Sequence, residues 1–120
     1  LAYSEGVVKR GLPIWWMART LAENPARIFG LYPRKGVIRP GSDADLLIWD
    51  PSPERTIRAA DHFGRAGFTP YEDWRVHGAP WMTLLRGRVL LKDGRLEQGP
   101  GYGRFLPAGG PVPPIAGRVA

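Results

Sequence analysis

The chain contains no cysteine and only two histidines among its 120 residues. Without cysteine there is no disulfide framework and no thiolate metal site, which fits a cytoplasmic location. His62 and His77 stand alone, 15 positions apart, with no H-x-H pair, whereas hydrolytic metal centres need three or more converging ligands. No apolar run reaches the length that crosses a bilayer, so no membrane partner is expected. The opening Leu1-Ala2-Tyr3-Ser4-Glu5 has neither a basic nor an apolar signal region and does not start on Met, which suggests a piece of a longer protein. The G-x-S-x-G context of a nucleophile elbow is also missing.

What is present is positive charge, glycine and proline. Seventeen Lys and Arg against eleven Asp and Glu leave a net charge of +6, yet the basic residues are scattered from Lys9-Arg10 and Arg34-Lys35 to Arg86, Arg88, Lys92, Arg95, Arg104 and Arg118. A nucleic-acid binder gathers such residues on one stripe, so solvated surface charge is the reading and no nucleic acid is expected. Sixteen Gly and thirteen Pro are spread unevenly along the chain and cluster toward its C-terminal end.

The periodicity predicts a helix over 13–23. Ile14, Met17, Ala18 and Leu21 share one face, with Trp15 and Ala22 on its flank, while Trp16 falls on the polar side with Arg19, Thr20 and Glu23 and needs cover from elsewhere. Asn24-Pro25 predicts an elbow, with Asn24 as the N-cap of a second short helix that Gly30 stops. From Gly36 the pattern turns to β. Val37-Ile38 is a short extended piece, Leu46 to Trp49 a strand ended by Asp50-Pro51, and Thr56 to Arg58 a weaker strand. Residues 60–80 read as irregular. Trp81 to Leu85 and Val89 to Leu91 are strands, and Asp93-Gly94 turns into a last strand at 95–97. Residues 98–120 read as an extended Pro/Gly-rich tail, mobile from Gln98 onward.

Three motifs could carry chemistry. Asp43 and Asp45, spaced D-x-D, could ligate a hard cation, but two carboxylates are too few, and a turn in which Asp43 satisfies local N–H groups explains them better. The two histidines read as structural. Gly-Pro-Gly-Tyr-Gly at 99–103 opens no helix that could cradle a phosphate. These residues therefore assemble no catalytic constellation: the expected catalytic, cofactor-binding and metal residues on this chain are none.

A family resemblance adds to this. Asn24-Pro-Ala-Arg-Ile-Phe-Gly-Leu-Tyr-Pro-Arg-Lys-Gly36, followed by Gly41-Ser-Asp-Ala-Asp-Leu-Leu-Ile-Trp-Asp-Pro51, resembles the dihydropyrimidinase/hydantoinase family of cyclic amidohydrolases. Tyr3 to Val7, the Pro70-Tyr71-Glu72 patch with Trp74, and Pro100 to Leu106 agree in order, although Asp73 stands where the family's P-Y-E-G-W has glycine and residues 12–18 lack its polar helix start. The resemblance implies an α+β piece of a larger fold. Residues 1–35 would be the terminal helices of a TIM-type barrel, 36–97 the C-terminal part of a small β-sandwich, and 98–120 a tail that makes contacts between subunits of a homo-oligomer. It further implies a zinc-dependent parent enzyme that opens the amide bond of a cyclic ureide, with every zinc ligand upstream of this chain, so that the chain alone is inactive. A non-catalytic scaffold acting through protein contacts, as in the collapsin response mediator proteins, is the alternative.

Overall fold

Pro25 has no N–H to offer the preceding helical turn, and the chain widens its helix just before it. In the computed structural model, which describes residues 1–109, Ile14–Ala18 (α1) is α-helical, Arg19–Glu23 winds into a wider turn, and Asn24–Ile28 (α2) is α-helical again. The Asn24 N–H reaches back five residues to the Arg19 carbonyl. Asn24 itself is helical, at φ −61° and ψ −45°, so the expected N-cap and elbow are replaced by a helix that runs on through the proline. The pre-proline restriction only disfavours the α region, and the wide turn gives the ring room. Gly30 ends the helix as expected, at φ 66°, with the N–H groups of Leu31 and Tyr32 both on the Ala26 carbonyl at 2.7 and 2.9 Å.

A further wide-wound helical segment, Ala2–Val8, precedes α1 and supplies the cover that Trp16 needs. The Trp16 ring lies over Gly6 so closely that a Cβ there would sit 2.6 Å from Cζ3. The residues of the expected apolar face fare differently: Ile14, Trp15 and Leu21 are 53%, 51% and 60% exposed. Periodicity identifies a face that needs cover, and among the described residues nothing provides it.

Four antiparallel strands follow in the order β1 (Leu46–Thr56), β2 (Arg75–Leu85), β3 (Arg88–Lys92) and β4 (Arg95–Leu96). β1 does not end at Asp50-Pro51 as expected. Its pairing with β2 skips from Asp50↔Ala79 to Glu54↔His77, leaving Pro51, Ser52 and Pro53 opposite Gly78 alone. β1 is an edge strand, and both prolines fall in this bulge, where no ladder N–H is required of them. The Ser52 N–H bonds to Asp50 Oδ1 at 2.9 Å. Thr56 is the end of β1 rather than the start of a separate strand, and Ile57 continues the pairing through its N–H to the Trp74 carbonyl at 2.9 Å.

β2 likewise starts six residues before the expected Trp81, taking in Gly78 and Pro80 from the stretch expected to be irregular. Val37-Ile38 is not a strand: no described strand lies beside it, and Ile38 is 85% exposed. Both hairpins turn as two-residue loops with positive φ at both centres, Arg86-Gly87 at 48° and 78° and Asp93-Gly94 at 47° and 75°, the geometry that matches strand twist.

The result is a small α+β unit with few buried residues. Helix and sheet meet where Tyr3 and Trp49 tilt together, ring centroids 5.5 Å apart, above Gly78. Ala26, Val76 and Ala79 are the buried apolar side chains of the described residues. Residues 98–109 contain neither helix nor strand, and the tail expected over 110–120 lies outside the described residues. No helix among the described residues is long and apolar enough to cross a membrane.

Gly78 combines φ 74° with a close approach, since a Cβ there would lie 2.7 Å from Trp49 Nε1 and 2.8 Å from Tyr3 Cδ1. Gly78→Ala is expected to lower stability by about 2–4 kcal/mol, joining backbone strain to overpacking. Gly87→Ala, at φ 78° with open space around it, should cost only about 1 kcal/mol. Urea unfolding of both variants checks the difference, and equal losses would mean the Tyr3–Trp49 contact contributes nothing at Gly78.

Candidate functional site

The densest charged cluster lies where the chain leaves the helix and enters the sheet. Ser42 Oγ donates to the Pro33 carbonyl at 2.7 Å and the Asp43 N–H to the Arg34 carbonyl at 2.9 Å, which folds the 41–45 turn back on residues 33–35. Lys35 Nζ then sits between the two carboxylates of the D-x-D pair, 2.9 Å from Asp43 Oδ2 and hydrogen-bonded to Asp45 Oδ2. Arg34 Nε adds a second cation to Asp43 Oδ2 at 3.0 Å. On its other oxygen, Asp45 accepts the Arg86 N–H of the β2–β3 turn at 2.8 Å, and the Ala44 carbonyl accepts the Gly87 N–H at 2.9 Å.

This corrects the expected role of Asp43. Its carboxylate pairs with two cations, and it is Asp45 that satisfies backbone N–H, 41 residues away rather than locally. Hydrogen bonding from Lys35, ahead of an opposing effect of burial and aided by Arg34, holds the Asp43 carboxyl below the usual range. For Lys35, burial pushes the ammonium down, but the hydrogen bonds to Asp43 and Asp45 outweigh it and the group titrates above its ordinary range.

The D-x-D carboxylates thus already hold a cation, the Lys35 ammonium. Among the described residues no group of three or more His, Asp or Glu is placed to bind a metal ion, so these residues do not fit a zinc centre. The two histidines are not brought together. His62 is exposed beyond the short Ala59–Asp61 turn, and His77 on β2 faces Glu54 on β1, Nδ1 to Oε1 3.6 Å. Ser4 is fully buried, out of reach of a substrate. In the Gly-rich 99–103 stretch, Tyr102 lies under the Arg86 and Arg88 guanidinium groups, at 4.2 and 5.1 Å from its ring centroid. A shallow open cleft lies beside Trp15, Ala18, Arg19, Glu23 and Gly36, with the Arg19 guanidinium 5.8 Å from the Trp15 ring centroid.

Comparison with known proteins places this scaffold. The amidohydrolase family profile matches residues 6–90. The chain belongs to the amidohydrolase family. It is 46% identical over 84 residues to dihydropyrimidinase of Rattus norvegicus, covering 70% of this chain and 16% of that protein. It is 37% identical over 106 residues to D-hydantoinase of Geobacillus stearothermophilus, covering 88% and 22%. Among solved structures, one D-hydantoinase superposes with a TM-score of 0.85 at 37% identity, over 90% of this chain and 24% of that one. Dihydropyrimidinase from Brevibacillus agri gives 0.82 at 30% identity, over 98% and 24%. The chain therefore spans about a fifth of the length of the amidohydrolases it matches.

Several anchoring residues were not singled out from the sequence. Lys35 and Arg86 read there as surface charge and Arg58 only as the end of a weak strand, because their partners are 8 to 41 positions away. The Tyr71-to-Trp74 patch shows this well. Glu72 accepts the Ala59 N–H at 2.8 Å, the Asp73 carboxylate takes the Arg58 guanidinium, and the Asp73 N–H donates to the Ile57 carbonyl at 3.0 Å, so the patch closes the end of the β1–β2 ladder. Asp73 has φ 66°, the left-handed region in which glycine is least strained, which accounts for glycine at this place in the resembling motif.

Asp73→Gly should therefore change stability by no more than about 1 kcal/mol, the relieved backbone offsetting a lost exposed ion pair, whereas Asp73→Val should cost about 1–3 kcal/mol. Thermal unfolding of the two variants checks this, and a large loss in the glycine variant would show that the Arg58 pair carries the patch.

The ion cluster predicts a pH profile. Asp43, whose folded pKa is lowered, contributes stability that is complete above the ordinary carboxylate range and is lost as pH falls through the lowered value. Lys35, whose folded pKa is raised, contributes stability that is complete below the ordinary lysine range and is lost as pH rises through the raised value. Asp43→Asn should flatten the acid limb of a stability-against-pH curve measured by urea unfolding and weaken the alkaline limb as well, since Asp43 is one of the two carboxylates that hold Lys35 above its ordinary range. An unchanged acid limb would remove Asp43 from the account.

Proposed function

We propose that this chain is the C-terminal portion of a hydrolase that opens the amide bond of cyclic ureides, dihydropyrimidines or hydantoins. Residues 1–35 would close the enzyme's barrel, 36–97 complete its β-sandwich, and 98–120 form the tail that reaches a neighbouring subunit of a homo-oligomer. The observation that carries this reading is the length and order of the match, 106 residues at 37% identity with a D-hydantoinase, together with 46% identity to a dihydropyrimidinase. Catalytic, substrate-contacting and metal-binding residues, zinc ligands in this reading, belong to the part of the protein outside this chain. The 120 residues by themselves are inactive, and the parent enzyme is cytoplasmic.

A second reading has its own observation. The chain is 44% identical over 86 residues to dihydropyrimidinase-related protein 5 of Mus musculus, nearly the identity it has to the dihydropyrimidinase. Scaffold similarity does not separate an enzyme from a homologue that keeps the fold and works through protein contacts.

The gene product encoding this chain decides between them. Its upstream sequence should contain an H-x-H pair, a lysine and two further histidines, and the full protein should hydrolyse dihydrouracil or hydantoin, lose the activity to a chelator and regain it with zinc. Intact ligands with no turnover of dihydropyrimidine, hydantoin or allantoin would sink the substrate class and leave the family standing. Absent ligands would establish the scaffold reading instead.

A further inference from the structure

The first centre of a two-residue hairpin turn with positive φ is ordinarily Asn, Asp or Gly. Asp93 follows that preference in the β3–β4 turn, but Arg86, at φ 48°, does not. A long side chain held in a strained backbone position points to a use for the side chain. Arg86 Nη2 donates to the Tyr102 carbonyl at 2.5 Å, and its guanidinium stacks on the Tyr102 ring with Arg88 beside it on the same ring. The backbone N–H of the same residue donates to Asp45, the carboxylate that holds Lys35. One residue thus links the helix-to-sheet ion cluster to the tail.

The tail needs such a link. Residues 98–109 have no helix or strand to hold them, yet the Gly109 N–H reaches the Gly30 carbonyl at 2.7 Å, at the end of the helix. Between the hairpin and that helix end the segment crosses from sheet to helix, with Tyr102 as its attachment near the sheet. We propose that Arg86 is a positioning residue that clamps residues 98–109 along this path, so that the β2–β3 turn sets where the tail goes. The inference concerns the scaffold and stands whether the full protein is an enzyme or not.

Hydrogen exchange read by mass spectrometry, on the full protein carrying this chain, tests it. Arg86→Asn keeps a residue suited to the turn and removes the clamp, and Tyr102→Ala removes the other half while leaving the turn untouched. In both, exchange across 98–109 should rise by about tenfold or more while β1, β2 and β3 keep their protection. A merely structural turn residue would move the sheet and spare the tail. Tail exchange within about twofold of the wild type in both variants would overturn the proposal. If Arg86→Asn loosens the sheet as well, Tyr102→Ala decides alone, a loosened tail with an intact sheet sustaining the clamp and an unchanged tail overturning it.

Discussion

The arrangement depends on one ammonium group. Lys35 sits between Asp43 and Asp45, and through Asp45 the end of the helical region is tied to the β2–β3 turn. An ion pair this near the surface contributes little to stability, so its importance lies in where it puts the chain. Asp45 serves Lys35 with one oxygen and the Arg86 N–H with the other, which sets the start of β1 beside the end of β2. Arg86 then carries the same linkage outward to Tyr102. The stretch ending Pro33-Arg34-Lys35-Gly36 and the stretch Gly41 to Asp45 are separate in sequence and form one structural joint.

Around this joint the unit has little interior. Large apolar side chains such as Ile14, Leu21, Leu47 and Phe68 are half exposed or more, and the buried apolar side chains of the described residues are two alanines and one valine. Exposed apolar surface on this scale marks faces that other protein covers. It fits a chain that spans about a fifth of the length of its relatives. The close contacts that do form use glycine: Trp16 lies on Gly6, and Trp49 with Tyr3 on Gly78. Large rings packed on bare backbone join the two helical segments to each other and the first of them to the sheet, where a fuller core would otherwise do so.

The D-x-D carboxylates hold the Lys35 ammonium, and the two histidines lie apart. The D-x-D pair could be recognised as a turn, because carboxylates before an apolar run favour one. Its partners could not, since Lys35 lies 8 and 10 positions from the two aspartates and the Arg86 N–H lies 41 from Asp45. Pairing at such separations depends on how the chain returns on itself. The left-handed conformation of Asp73 was visible only indirectly, as a departure from glycine in a resembling motif.

Local chemistry was sufficient for several elements. The helical stretch expected over 13–23, the stop of the following helical piece at Gly30 and the two-residue turn at Asp93-Gly94 follow from side-chain spacing and backbone freedom within a few residues, and the sequence alone determined them. Family membership was also legible, because it resides in residue order. Tertiary structure decided the rest. It carried the helix through Asn24-Pro25 and β1 through Pro51 and Pro53, and it began β2 at Arg75. In each case proline or glycine signals a break when only its neighbours are considered. The break disappears when a wide turn or an opposing bulge removes the need for the missing N–H, and only the folded chain supplies that partner.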